Sequence, residues 1–182
     1  MPVIRSRAAR KPVSALDLLK ADHAAVKKLF KQFAAMKKRG EDDGKGQVVQ
    51  SACKALQIHA RIEEEIFYPA LREAANADDP LDEAQVEHSH VKELVAELQA
   101  ASPGDELYDA KMKVLSEYVE HHVQEEESTL FSKARKAGVD LAALGEQLAA
   151  RKAELGADDA AASRPAGGRR QGKQGNAARM QR

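Results

Sequence analysis

Two segments of this 182-residue chain carry the pattern His-x-x-x-Glu inside a stripe of apolar residues: His59 with Glu63, and His122 with Glu126. A third segment places His23 in a similar apolar setting. Ionisable side chains are seldom found on a buried face without compensation, because burying an unpaired charge is costly. A transition metal provides that compensation, since imidazole and carboxylate bind it and its charge offsets the buried acid. The pattern therefore predicts a metal centre.

The spacing of these residues decides which of them face the core. At about 100° per residue, His-x-x-x-Glu stacks both side chains one turn apart on one helix face, roughly 6 Å along the axis. In the segment that contains His122, the apolar stripe includes His122 and Glu126, whereas the neighbouring His121 and Glu125 point away from it. Tyr118, one turn before His122, lies at the edge of that stripe, where it packs or tunes the chemistry.

The segment around His88 is less decisive. Its buried face is defined by Val91 and the leucines and valine that follow, with His88 about 70° to one side and His90 about 90° to the other. The geometry prefers His88 as a ligand and keeps His90 as the alternative, or as a second, weaker ligand. Glu87 also falls near the stripe, so a carboxylate from this segment is an option.

Ordinary explanations exist for each of these residues alone. A histidine on an apolar stripe is commonly a hydrogen-bonded core residue, and a run of glutamates is commonly solvated. Neither explains a histidine on the buried face of four segments and a glutamate one turn later on two of them. Taken singly, five residues are expected at the surface: His90, His121, Glu64, Glu65 and Glu125.

Helical periodicity predicts four long segments and one shorter one. Ser14, Asp79-Pro80 and Ser102-Pro103 carry helix-start signals, because Ser and Asp favour the N-cap and Pro is tolerated in the first turn. Pro69 falls inside the second segment, where it kinks the helix or restricts its last turns. The predicted helices cover residues 14–39, 47–75, 79–101 and 102–138, with a shorter outer helix over 141–155.

Four helices of this length with short connections predict an all-α fold, an antiparallel up-down-up-down four-helix bundle with a short extra C-terminal helix. The hydrophobic content of 43% with only 4% aromatics suits such a bundle. We expect a flexible basic arm over 1–13, the bundle over 14–155, and a disordered basic tail over 156–182.

Charge and composition limit the partners. Residues 14–155 hold 19 Lys and Arg against 27 Asp and Glu, net −8, so the excess of basic residues lies in the tails. Basic tails can make weak, salt-sensitive contacts with nucleic acid, but the acidic body offers no surface for specific recognition, so a nucleic-acid partner is not expected. The single Cys53 excludes a disulfide framework. No apolar run suits a membrane span or a secretion signal, which predicts a cytoplasmic protein.

Four strings, one in each long segment, resemble the hemerythrin-like, HHE cation-binding family: DHAAVKKLF (22–30), HARIEEEIFYP (59–69), EHSHVKEL (87–94) and HHVQEEESTLF (121–131). The likeness covers residues 14–155 in order. It implies a non-haem di-iron centre inside a four-helix bundle, with two iron ions joined by a bridging oxo or hydroxo group. The family's ligand positions fall on six residues: His23, His59, Glu63, His88, His122 and Glu126.

The chain departs from the oxygen-carrying hemerythrins in two places. Lys92 stands four residues after His88, where they have a second histidine, and Glu126 stands at +4 from His122, where they have Asp at +5. One fewer histidine argues against simple reversible oxygen carriage. The resemblance then implies that the chain binds or reacts with O2, peroxide or nitric oxide, in scavenging, sensing, iron handling or oxidative stress.

Two other functions stay open at this point, and whether the protein is an enzyme is open with them. One is a peroxide-decomposing or ferroxidase-type enzyme, and the other is a mononuclear, metal-stabilised helical module that binds partners. His and Glu ligands also suit zinc and manganese. A ferritin-like oxidase fits less well, because that class uses paired Glu-x-x-His motifs and only Glu87 to His90 matches one.

Overall fold

The computed structural model describes residues 13–75 and 77–162. Within them are seven α-helices and two single π-helical turns. In chain order the elements are α1 (Ala15–Arg39), α2 (Lys45–Ile62), the first π turn (Glu63–Phe67), α3 (Tyr68–Ala75), α4 (Asp78–Ala100), α5 (Tyr108–Glu125), the second π turn (Glu126–Leu130), α6 (Phe131–Lys136) and α7 (Leu141–Ala162).

The predicted four-helix bundle is confirmed. Its second helix is α2, the first π turn and α3 in succession, and its fourth is α5, the second π turn and α6. α1 packs on α2, α2 on α4, α4 on α5, and α5 back on α1, so the four helices close around one core. This closed ring is the arrangement expected of long helices joined by short connections.

Both π turns begin at the glutamate of a His-x-x-x-Glu pattern, at Glu63 and at Glu126. The sequence analysis placed an irregularity at Pro69, but Pro69 lies after the first π turn, and the second π turn contains no proline. Proline therefore does not explain both turns. Single π turns inside α-helices are frequent at functional sites, because the wider turn re-aims the side chains around it.

The fourth bundle helix starts later than predicted. The Ser102-Pro103 signal opens a turn instead of a helix, and the Ser102 amide donates to the Asp105 carboxylate at 2.7 Å. The helix begins only at Tyr108, after Leu107 has taken a left-handed φ of 67°. Elsewhere the predicted starts differ by one or two residues, with α2 beginning at Lys45 and α4 at Asp78.

Two apolar clusters fill the bundle, one toward each end. The first cluster includes Leu19, Ile62 and Phe67, and the second includes Val26 and Leu56. In sequence, His23 lies between Leu19 and Val26, and His59 lies between Leu56 and Ile62. A polar layer of buried histidines and glutamates therefore separates the two apolar clusters.

The fifth helix, α7, has 22 residues and runs to Ala162, beyond the predicted end at residue 155. It lies along α1 and α2 and buries Leu144, Leu148 and Leu155. Gly145 permits this approach, because a Cβ there would lie 2.0 Å from the Val13 carbonyl oxygen.

The predicted basic arm and basic tail lie almost entirely outside the described part of the chain, at residues 1–12 and 163–182. Among the helices that are described, none combines the length and the apolar character needed to cross a membrane.

Candidate metal centre

The four bundle helices bring four imidazoles together at the middle of the core. His23 comes from α1, His59 from α2, His88 from α4 and His122 from α5, and each is at most 5% exposed. They form two pairs through their inner nitrogens, because the Nε2 atoms of His23 and His59 are 3.0 Å apart and those of His88 and His122 are 3.2 Å apart.

Two fully buried carboxylates complete this inner layer. Glu63 spans the two histidine pairs, with Oε1 3.1 Å from the His59 Nε2 and Oε2 3.5 Å from the His88 Nε2. Glu126 lies on one side only, with Oε2 3.2 Å from the His23 Nε2. The result is two overlapping groups whose ligand atoms lie within 4.8 Å of one another: His23, His59, Glu63 and Glu126, and Glu63, His88 and His122.

These six side chains fit a bound metal. Both oxygens of Glu63 and both oxygens of Glu126 are buried without a hydrogen-bond partner. A buried carboxylate left in that state costs several kcal/mol, and facing Nε2 atoms can share only one proton between them. Cations at the two groups would satisfy every one of these atoms, and a set of nitrogen and carboxylate ligands suits iron, zinc or manganese.

The charges of the layer show how the metal-free site holds protons. Burial and the charge of Glu63 together raise the pKa of Glu126 to about 7. Burial opposes ionisation of Glu63 as well, but the histidines beside it outweigh burial and hold its pKa well below the usual range. Burial disfavours a charged His59, yet Glu63 and Asp22 raise its pKa to about 10. A cation bound here would therefore compete with protons at Glu126 and His59.

Each of the four histidines has a second carboxylate on its outer nitrogen, Nδ1. Such a partner fixes the ring orientation and the tautomer of a metal-binding histidine. The Nδ1-to-oxygen distances are 2.9 Å for His23 and Glu127, 3.6 Å for His59 and Asp22, 2.9 Å for His88 and Glu64, and 2.7 Å for His122 and Glu87.

Most of these outer carboxylates in turn contact a lysine. Lys152 of α7 pairs with Asp22, Lys92 lies 2.7 Å from Glu64, and Lys20 lies 3.8 Å from Glu127. Glu87 differs, because its second contact is the imidazole of His121 at 3.5 Å. Lys92, which stands where oxygen-carrying hemerythrins have a histidine, thus supports an outer carboxylate instead.

Aromatic rings flank two of the histidines. Tyr68 stacks on His88 with 5.6 Å between ring centroids, and its hydroxyl is 3.4 Å from the His88 Nε2. Phe131 stacks on His23 at 6.1 Å. Burial raises the pKa of Tyr68 well above its usual value. The tyrosine beside the site is therefore Tyr68, whereas Tyr118 is 47% exposed, which favours packing over tuning, the two roles considered for it from the sequence.

Two cavities border the layer on different sides. One, of about 20 Å³, is lined by the four histidines and by six apolar residues: Val26, Leu56, Ala60, Val91, Val119 and Val123. The other, of about 80 Å³, lies between α4 and the fourth bundle helix and is lined by four glutamates, with His122 and Glu126 on its inner wall.

The structure brings together all six residues that the sequence placed at the centre. His88 is buried there, whereas His90 is exposed and stacks on Tyr118 with 6.2 Å between centroids. His121 and Glu125 have side chains 62% and 51% exposed, as the periodicity indicated.

The sequence does not predict three of the outer carboxylates, Asp22, Glu64 and Glu127, and it places Glu64 at the surface, whereas it indicates Glu87 as an optional carboxylate of the site. A repeat in the sequence could have identified them. An acid precedes the histidine in both Asp22-His23 and Glu87-His88, and a second glutamate follows the inner one in both 63–64 and 126–127.

Comparison with known proteins agrees with this geometry. The model of the hemerythrin HHE cation-binding domain matches residues 14–134, about two thirds of the chain. A crystal structure of a hemerythrin HHE cation-binding domain-containing protein from Mycobacterium kansasii superimposes with a TM-score of 0.69 at 23% identity. That likeness covers 82% of this chain and 91% of the other, and at this identity it shows the fold.

Two relatives found by sequence give little information about function. A DNA nickase from Nostoc is 32% identical over 124 residues, which are 65% of this chain but only 33% of the nickase. An uncharacterized protein from Mycobacterium tuberculosis is 26% identical over 146 residues, 79% of this chain and 88% of that one. Together with the domain match, the buried histidines and glutamates show that the chain belongs to the hemerythrin HHE cation-binding family.

Proposed function

We propose that this chain is a non-haem di-iron protein that binds or reacts with O2, peroxide or nitric oxide. The proposed ligands are the six inner residues: His23, His59, Glu63, His88, His122 and Glu126. The observation that supports two cations is the position of Glu63, whose two oxygens face different histidine pairs. A carboxylate in that position is suited to bridge two ions, as in other helical-bundle di-metal sites.

The protein's own contribution is to hold these ligands in place. Three outer carboxylates, Glu127, Glu64 and Glu87, lie within hydrogen-bond distance of an Nδ1 atom, and such a bond directs the Nε2 lone pair of its histidine inward. The His59 Nδ1 has only the longer contact with Asp22, at 3.6 Å. Bound ferrous ions would supply the electrons that reduce O2 or peroxide.

The small apolar cavity supports a ligand of two or three atoms. Its volume of about 20 Å³ is near that needed for a single small molecule. Apart from the four histidines, its walls are aliphatic, so a neutral ligand such as O2 or nitric oxide loses little hydration there. These walls also keep bulk water from the histidines, which limits the escape of reactive oxidants.

Reactivity, sensing or iron handling suits this site better than reversible oxygen carriage. Lys92 is exposed and bound to Glu64, so α4 offers a single histidine to the centre. Fewer histidine ligands leave more positions free on the bound ions, and free positions are where oxidants are activated.

The proposal is tested by reconstituting the metal-free full chain with ferrous iron under anaerobic conditions. We expect about two irons per chain, as in other carboxylate-bridged bundle sites. On exposure to air, near-ultraviolet absorption should develop, and dithionite should bleach it. The same sample mixed with peroxide shows whether the colour is consumed once or regenerated by turnover.

Two neighbouring histidines provide a matched control. His88→Ala should lose iron and absorption, whereas His90→Ala, on the exposed side of the same helix, should retain both. Uptake of a single zinc ion per chain with no iron-dependent absorption would overturn the proposal in favour of a structural metal site.

A further inference from the structure

The acidic cavity joins the protein surface to the metal centre. Two of its lining residues, Glu83 and Glu125, are exposed, and two others, His122 and Glu126, are buried in the inner layer. At about 80 Å³ it has room for a cation with part of its hydration shell. It lies apart from the small apolar cavity, with which it shares only His122 among the described lining residues.

Four glutamates give the lining of this cavity an acidic character that attracts cations. Glu83, Glu87, Glu125 and Glu126 all contribute to it, and no lysine or arginine is found among its described lining residues. At the inner wall, Glu126 is 1% exposed and both of its carboxylate oxygens lack a hydrogen-bond partner. A closely spaced set of like charges in a narrow cleft raises the local concentration of counter-ions.

A second group of metal-binding side chains lies at the outer end. Glu87, His121 and Glu125 each offer a ligand atom, and these atoms lie within 4.8 Å of one another. The His121 Nε2 is 3.5 Å from an oxygen of Glu87 and 3.5 Å from an oxygen of Glu125. The other oxygen of Glu87 contacts the Nδ1 of His122, so Glu87 connects the outer group to the inner layer.

The other three outer carboxylates are less suited to bind an approaching cation. Asp22, Glu64 and Glu127 each have a lysine ammonium in contact, and a fixed positive charge repels an approaching divalent cation. The described contacts of Glu87 are to two histidines, His121 and His122, and an imidazole, unlike an ammonium held by a carboxylate, can release its proton and bind a metal itself. Of the four outer carboxylates, Glu87 is therefore the one that favours an approaching cation.

We propose that the acidic cavity is the route by which metal ions reach the centre, and that Glu87, His121 and Glu125 form an outer cation site on this route. The proposal rests on the proposed di-metal function. It separates two roles, because cations enter through the acidic cavity and the small neutral ligand occupies the apolar one.

The test is the rate at which Co²⁺ enters the metal-free full chain, followed by stopped-flow absorption of the bound ion. The variant Glu83→Gln with Glu125→Gln removes two rim charges without touching the buried histidines. Its control, Glu93→Gln with Glu120→Gln, removes one exposed glutamate from each of the same two helices and so has the same net charge. We expect loading to slow about tenfold or more in the rim variant only, and to depend less on salt. The content of tightly bound Co²⁺ at the centre should be unchanged, whereas the weak outer event should be reduced because Glu125 belongs to the outer site.

A second pair of variants tests the outer site directly. Glu83→Lys places an ammonium at the rim, as Lys152 does at Asp22, and should slow loading further. In an equilibrium titration with Co²⁺, the wild type should show a weak event after the tight ones, and His121→Ala should remove only the weak event. Circular dichroism checks that each variant remains folded.

The outcomes separate this inference from the proposed function. If the wild type takes up no tightly bound Co²⁺, the proposed function fails. If it does, but the rim variant loads as fast as its control and His121→Ala keeps the weak event, the acidic cavity is not the entry route. A rim variant that loses tightly bound Co²⁺ at an unchanged rate would also overturn the inference, because those residues would then belong to the centre itself.

Discussion

The metal centre is built from two similar halves of the bundle with different surroundings. Asp22-His23 on α1 corresponds to Glu87-His88 on α4. His59, Glu63 and Glu64 on the second bundle helix correspond in the same way to His122, Glu126 and Glu127 on the fourth.

The inner contacts repeat along with the sequence. The Nε2 atoms within each histidine pair are 3.0 and 3.2 Å apart, and a π turn begins at the inner glutamate in both halves. The halves are also interlocked, because Glu64 of the first contacts His88 of the second, and Glu127 of the second contacts His23 of the first.

Outside the inner layer the likeness ends. Lys152 of α7 covers Asp22 in the first half, whereas the corresponding Glu87 borders an open acidic cavity. Tyr68 in the first half is replaced by Phe131 in the second. The inner ligand set is thus shared between the halves, whereas the acidic cavity and the Tyr68 hydroxyl beside the histidines each belong to one half.

The largest difference between the halves should come from their inner glutamates. Glu63 belongs to both ligand groups and Glu126 to one, so Glu63→Gln should weaken binding of both metal ions, whereas Glu126→Gln should leave one ion bound. For Glu63→Gln we expect a loss beyond the 10- to 100-fold typical of outer partners. Metal content and competition with a chelator measure both variants, and equal losses would contradict the assignment of Glu63 as the shared ligand.

Glu126 and His59 should give the metal-free chain an unusual pH dependence. Glu126 has a folded pKa of about 7 and His59 of about 10, both above their usual values of 4.5 and 6.5. A group with a raised folded pKa binds its proton more tightly in the folded state, so its stabilisation is full below the unfolded pKa and is lost as pH rises to the folded pKa.

The free energy of unfolding of the metal-free chain should therefore fall as pH rises from about 5 to about 9. Glu126→Gln should reduce the fall between pH 5 and 7 and should stabilise the metal-free chain at pH 8 by about 1–3 kcal/mol. Urea unfolding at several pH values measures both effects. Stability that rises over this range in the wild type would contradict the charge distribution described for the site.

The outer carboxylates should differ between the halves by a smaller amount. Glu87 lies 2.7 Å from the His122 Nδ1, whereas Asp22 lies 3.6 Å from the His59 Nδ1. Glu87→Gln should reduce metal affinity about 10- to 100-fold, and Asp22→Asn should reduce it less. Competition for zinc measures the metal affinity of each variant. A larger effect of Asp22→Asn would show that Asp22, held in place by Lys152, contacts His59 more strongly than the distance of 3.6 Å suggests.

Exchange of the aromatic residues should have the smallest effect. Tyr68→Phe keeps the stacking on His88 and removes one long hydroxyl contact, so the change in unfolding free energy should be about 1 kcal/mol or less. Phe131→Tyr places a hydroxyl in the first apolar cluster and should destabilise the chain by more than Tyr68→Phe does. If Tyr68→Phe lowered the free energy of unfolding more than Phe131→Tyr does, the contact of the Tyr68 hydroxyl with His88 would have to stabilise the chain more than expected.

Sequence periodicity predicted the inner layer well, because a helical repeat of 3.6 residues separates His122 from His121 and Glu126 from Glu125 without any knowledge of the neighbours. It predicted the outer layer poorly. Glu64 and Glu87 are partly exposed, so their position along a helix does not distinguish a solvated acid from one that contacts a histidine of another helix. The π turns at Glu63 and Glu126 were missed because a regular repeat of 3.6 residues does not mark a single wider turn within a helix.

The same reasoning explains the misplaced start of the fourth bundle helix. Ser102-Pro103 is a valid start signal, but Asp105 captures the Ser102 amide in a turn, and the local hydrogen bond delays the helix to Tyr108. The reach of α7 was underestimated because its alanine-rich end carries little periodicity, although Leu155 is already buried against the bundle.

α7 has a practical consequence for anyone shortening this protein. The family match stops at residue 134, but the ammonium that pairs with Asp22 comes from Lys152 of α7. Gly145 of α7 also allows this helix to pack closely against the start of α1. A version trimmed to the matched segment would expose Leu16 and Leu19 to solvent and leave one histidine less firmly oriented. The shortest fragment suitable for expression should therefore include α7.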